Sequence, residues 1–405
     1  MTQIEPMNDG QPREETFDLG GPASAPKPEA PRTFAFDPGI VPDADLVMKR
    51  YRAWWNNDCL DRPVVHLECN RLRPTAPLLR VPDVERDWLA RQTDVEYRIV
   101  TIENRLRTKR FFGDTIPSIA SGMNVTYAAL LAGAKINYAD HDWIEASVTD
   151  WTQAPEPRFD PAHPLIAKMV ATCEAVAANA RGRYLIQTPA YIDCITTMSQ
   201  MRGTQDFCFD LVDNPDAVVA YRDRFVAAWL QSAAFWSTFF RRLGYPGTTN
   251  WASAFSPDHY DQIQCDFCLM VSPEVFSWLI APEMRAEAAL FGGAMFHLDG
   301  AGAIAHLDAL LEIPHLKVIQ WVPGAGQPTT GHWLPLLQRI QKTGKALQLY
   351  AKAAEVPLYQ QHLRPEGHML QFGFDEWGLS EPQCEDLMRQ INAWPRSKPG
   401  VTVLA

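Results

Sequence analysis

The chain has 405 residues, 46% of them hydrophobic, enough for one barrel-sized domain or two smaller ones. Its formal charge is −11, with no Lys/Arg run and no apolar run of about 18 residues. Nucleic acid and membrane are therefore excluded as expected partners. The start has no basic segment followed by an apolar one, and the eight cysteines are scattered, so reduced thiols and a cytoplasmic location are expected.

From residue 1 to 38 the chain is rich in Pro, Gly, Glu and Asp. Such a stretch buries too little to offset its ordering entropy, so residues 1–38 are expected to be a disordered tail and 39–405 one folded domain. Order is expected to begin with a helix near Asp43, where Leu46, Val47, Tyr51, Trp54 and Trp55 share a face. Eight short apolar runs follow: Val64–Leu67, Ile116–Ile119, Tyr184–Gln187, Asp266–Val271, Ala294–Leu298, Val318–Val322, Ala346–Tyr350 and His368–Phe372. Most are separated by stretches of helical spacing, among them 210–239, 273–291 and 334–343. Repeated strand–helix alternation implies an α/β protein with a parallel sheet, and a single-domain (β/α)8 TIM barrel is its commonest form at this size. An open doubly wound sheet is the alternative, but no G-x-G-x-x-G turn is present.

In such folds the strands' C-terminal ends carry ligands. The run Ala294–Leu298 ends in His297-Leu298-Asp299-Gly300, and residues two apart on a strand face the same way. His297 and Asp299 therefore read as a metal pair or an acid/base pair; the plainer alternative is a helix-capping Asp beside a hydrogen-bonded His. Asp266 lies in an apolar run and must find a partner there. His66, Glu68 and Asn70 alternate on the first strand as a polar stripe for substrate binding. Asn124, Tyr191, Asp193, Gln320, Trp321 and Gln348 follow at or near other strand ends and complete the expected substrate contacts. Asp114 falls at the start of a strand, the wrong end for catalysis. Cys265-x-x-Cys268 has redox or zinc spacing, but residues three apart on a strand face opposite sides.

Several of these stretches together resemble the uroporphyrinogen decarboxylase superfamily. They are Ala190 to Gly203, Gln264-Cys265-Asp266-Phe267, Phe296-His297-Leu298-Asp299-Gly300 and Gly367 to Gly373, in that order, over about residues 45–395. The resemblance implies a (β/α)8 barrel and a methyltransferase or decarboxylase. True decarboxylases carry an Arg-rich loop after the first strand; here Val64 to Arg71 keeps one Arg and adds Glu68, which argues against a polycarboxylate substrate. The methyltransferase branch binds zinc through His-x-Cys and a later Cys. Here the pair is His297-x-Asp299, and the later Cys falls on Phe374 beside Asp375. The resemblance thus implies a divalent metal, zinc or similar, on His297, Asp299 and Asp375, and a small polar substrate. A corrinoid would come only through a partner protein, and a homodimer fits the superfamily. The alternative is a cofactor-free decarboxylase or lyase of a small acid, with Asp266 or Asp299 handling a proton. A third, non-catalytic reading makes the strand ends a binding mouth.

Overall fold

Strands buried on both faces need cover on both, and the alternating sequence supplies helices toward it. In the computed structural model the described residues are 34–84, 88–122, 126–138, 142–373 and 378–394. Nine strands position the site: β1 (Val64–Asn70), β2 (Lys109–Gly113), β3 (Ser118–Ile119), β4 (Leu185–Ile186), β5 (Asp261–Gln264), β6 (Ala294–Asp299), β7 (Leu316–Val322), β8 (Ala346–Tyr350) and β9 (His368–Gln371). Seven of them form one sheet in the order β2-β1-β9-β8-β7-β6-β5, parallel except for β2, which runs antiparallel on the edge of β1. β3 and β4 pair parallel as a separate ribbon. The protein is therefore mixed α/β with a central parallel sheet. A closed eight-stranded ring is not shown, because the ladder ends at β2 and β5. Hydrogen bonds cross the breaks: Leu67 N donates to Thr115 Oγ1 at 2.8 Å, and Thr188 Oγ1 to Asp261 Oδ1 at 3.1 Å.

The fourth apolar run corrects the sequence reading. Asp266–Met270 is a 3-10 turn, and the strand lies earlier, at Asp261–Gln264. That strand was missed because Gln262 and Gln264 make it look polar, although all four residues are buried. β2 was not expected either; Lys109 and Arg110 suit an edge strand.

The first helix, α1 (Ala44–Trp55), buries Val47, Tyr51, Trp54 and Trp55 as its spacing predicts. Trp54 Nε1 donates to Leu347 O on β8 at 3.0 Å and Trp55 Nε1 to Phe255 O at 2.9 Å, tying α1 to the middle of the sheet and to the segment around Phe255. Phe34 and Phe36, inside the expected tail, dock on the body: Phe34 meets Tyr245 at 5.3 Å between ring centroids. Among the described residues no helix is long and apolar enough to cross a membrane.

Asp114 follows β2 with its side chain fully buried. It bonds Arg62 Nη1 at 2.5 Å, Arg50 Nη1 at 3.1 Å and Val65 N at 3.0 Å. It locks the start of β1, away from the candidate site. Asp114→Ala leaves Arg62 buried and short of its carboxylate, so it should lower stability by roughly 3–5 kcal/mol; urea unfolding reads this. His368, buried at the start of β9, is pushed down to about 4 by burial. It is neutral in the fold and titrates near 6.5 once unfolded, so its contribution is present above pH 6.5 and is lost as pH falls toward 4. That contribution is roughly 3 kcal/mol. The variant His368→Gln should unfold with a shallower dependence on pH across this window.

Candidate active site

One face of the parallel sheet carries a row of polar side chains. β6 supplies His297 and Asp299 from one face, and Gly300 then turns the chain out at φ +81°, a conformation a side chain would strain. His297 Nδ1 lies 2.5 Å from Gln320 Oε1 on β7. Gln320 Nε2 reaches Gln348 Oε1 at 3.1 Å and Tyr350 Oη at 3.3 Å on β8. Gln348 Nε2 reaches Gln371 Oε1 on β9 at 2.8 Å and Ala252 O at 2.6 Å. On the other side, Gln262 Nε2 donates to Gln264 Oε1 at 2.7 Å, and Gln264 Nε2 lies 3.4 Å from Asp266 Oδ1. Trp251 stands edge-on to the His297 ring, with centroids 4.9 Å apart.

His297 Nε2 and Asp299 Oδ2 are 3.9 Å apart, too far for a hydrogen bond. The Asp299 side chain is 46% exposed. Asp266 opens the turn after β5. Burial pushes its carboxyl above the usual range, His297 pulls it down and Asp299 pushes it up. The three groups expected to converge are thus within electrostatic reach of one another. Asp266 and Asp299 have no Lys or Arg ion pair among the described residues.

The remaining candidates divide. Gln320 and Gln348 join the network above. Glu68 is buried, but Arg105 at 2.6 Å and Lys109 at 3.9 Å balance it, so its charge does not stand free to repel a substrate carboxylate. His66 is buried, and burial lowers it to about 4, so it is neutral; Asn70 is exposed at the end of β1. Tyr191 packs on Trp229 at 5.1 Å and Phe291 at 5.8 Å, as a core aromatic. Asp193 caps the helix Cys194–Arg202, accepting from Thr196 N at 2.6 Å, and burial holds its carboxyl well above the usual range. Trp321 neighbours Gln320 on β7 and so faces the other way, where it meets Trp333 at 5.0 Å, on the face of the sheet opposite the glutamine network. Asn124 and Asp375, with Phe374, Glu376 and Trp377, lie outside the described residues. Cys265 and Cys268 are buried free thiols, and burial pushes Cys268 up to about 12.

Sequence reasoning passed over Gln262, Gln264, Gln371 and Trp251 as site residues, and gave Tyr350 no role. The signal was present as alternation in Asp261-Gln262-Ile263-Gln264, which a search for apolar runs overlooks. As to metal, His297 and Asp299 are the right kinds of donor, a neutral nitrogen and a carboxylate. Among the described residues no three His, Cys, Asp or Glu are placed to hold an ion.

No family model matches this chain, and no curated protein does. Among solved structures, a methyltransferase from Methanosarcina mazei is similar at a TM-score of 0.54 and 10% identity, over 85% of this chain and 98% of that one. At that identity the likeness shows a shared fold. That fold is α/β.

Because Asp299 pushes the Asp266 carboxyl up and His297 pulls it down, Asp299→Asn should lower the Asp266 pKa and His297→Ala should raise it. Carboxyl carbon NMR of aspartate-labelled protein measures both, and an unmoved Asp266 would separate these groups.

Proposed function

We propose that the chain is a methyltransferase-type enzyme acting on a small polar substrate held at the ends of β5, β6, β7 and β8. In this reading the seven-stranded sheet and the β3–β4 ribbon are arcs of one (β/α)8 ring spanning residues 39–405, and the site is at its C-terminal mouth. The observation that carries it is His297 Nε2 at 3.9 Å from Asp299 Oδ2, beside glutamines that hold His297 on one side and lead to Asp266 on the other. The shared fold with a methyltransferase supports the same reading.

Each group has a distinct task. His297 is held through Nδ1 and offers Nε2 to the substrate. Asp299, half in water, attracts and orients. Asp266, whose carboxyl burial pushes above the usual range, is the group placed to handle a proton. With Glu68 balanced, the uncompensated charges at the site are carboxylates, which favours a neutral or cationic substrate. A divalent metal, zinc or similar, would be held by His297 and Asp299 with Asp375 as the third ligand, and would supply Lewis-acid polarisation of the reacting atom. A corrinoid partner protein would bring or remove the methyl group.

The raised Asp266 carboxyl favours a second reading, a cofactor-free decarboxylase or lyase. As carbon dioxide leaves a small acid, the electron pair stays on carbon, and Asp266 delivers the proton that quenches it.

Metal content of protein purified without chelator, and turnover with added zinc, manganese or iron, test the first reading. Metal bound by the native protein should be lost in Asp299→Ala, and His297→Ala should lower kcat/KM by roughly 100-fold or more. The methyltransferase reading fails if no metal binds and none changes turnover. Carbon dioxide release by metal-free protein would install the second.

A further inference from the structure

We infer that Gln320 and Gln348 are positioning residues: they hold the His297 proton on Nδ1 and leave Nε2 as a bare lone pair toward Asp299. This rests on the functional reading of His297 and deepens it.

The bonds can be followed outward from a main-chain atom. Ala252 O only accepts hydrogen bonds, and Gln348 Nε2 stands 2.6 Å from it. The NH2 of Gln348 therefore faces Ala252, and its second hydrogen reaches Gln371 Oε1 at 2.8 Å. Gln348 Oε1 is turned the other way and accepts from Gln320 Nε2 at 3.1 Å. The Gln320 NH2 also meets the Tyr350 hydroxyl at 3.3 Å. That leaves Gln320 Oε1 for His297 Nδ1, 2.5 Å away. A carbonyl oxygen donates nothing, so the ring nitrogen carries the hydrogen. In a neutral imidazole the other nitrogen then bears the lone pair. Nε2 has no hydrogen bond among the described residues, and Asp299 Oδ2 is 3.9 Å off.

Both glutamine side chains are fully buried. Water cannot take the place of a missing partner there, so reversing one amide would set carbonyl against carbonyl along the chain. The arrangement extends from Ala252 through β8 and β7 to β6, and it does not depend on what occupies the site. A lone pair on Nε2 is the form that a base or a ligand requires.

The test is nitrogen NMR of protein labelled at the histidine ring nitrogens, assigned with His297→Gln, at a pH where the ring is neutral. The native ring should show the Nδ1–H tautomer. Gln348→Leu removes the anchor and frees the Gln320 amide to turn, so the Nδ1–H to Nε2–H ratio should fall roughly tenfold. Gln320→Glu keeps an acceptor opposite Nδ1 and should retain the native tautomer. A native ring protonated on Nε2, an unchanged ratio in Gln348→Leu, or a mixed ring in Gln320→Glu overturns the inference. If Gln348→Leu does not fold, the native ring and Gln320→Glu decide. A ring held on Nδ1–H in a protein that turns over nothing preserves this inference and removes the functional reading; an active enzyme with mixed tautomers does the reverse.

Discussion

A glutamine buried inside a parallel sheet must satisfy both amide hydrogens and its carbonyl, since no water is there to do so. Gln348 meets that demand through Ala252 O, Gln371 and Gln320. Because an amide has distinct ends, satisfying one fixes the next. The constraint passes from strand to strand as hydrogen-bond direction, until it reaches an imidazole. A row of apolar side chains would pack equally well and transmit nothing. On the far side, Gln262 and Gln264 lead to Asp266 in the same manner. The two amide chains approach the same space from opposite strands.

The fold separates its charges by depth and by end. Near the start of β1, Asp114 is closed off by Arg50 and Arg62, an arrangement that holds chain to chain and leaves no charge free. Along β1, Glu68 is balanced by Arg105 and Lys109. At the C-terminal ends of β5 and β6, Asp266 and Asp299 have no such cation among the described residues. A buried acid without a base, such as Asp266, is unfavourable for folding, which makes it a candidate for function. The same physics gives Asp193 and Glu283 raised carboxyls, yet Asp193 caps a helix and Glu283 accepts from Cys194 N at 2.5 Å. A raised carboxyl is therefore not a site by itself. What sets Asp266 apart is its company, His297 and the half-exposed Asp299.

Apolar runs and their spacing made the strand–helix alternation legible, and the His297–Asp299 pair followed from period two at a strand end. Gln320 and Gln348 were within reach because their strands are otherwise apolar. Asp261–Gln264 was hidden because a strand with two buried glutamines has no apolar run to find. Trp321 and Tyr191 were drawn toward the pocket because aromatic residues at strand ends suit either face. Only neighbouring helices show that Trp321 meets Trp333, and that Tyr191 meets Trp229 and Phe291. The β2 edge was missed because Lys109–Gly113 follows a helix without a break.

Taken alone, the sequence determined the local facts: the parallel α/β architecture, the apolar faces of helices such as α1, and the shared orientation of His297 and Asp299. These follow from periodicity, which is a property of adjacent residues. The tertiary structure decided which polar groups meet. Glu68 finds Arg105, 37 positions away, and Gln348 finds Ala252, 96 positions away. Such partners are chosen by strand order and register, and the hydrogen-bond directions they impose exist only once the strands lie side by side.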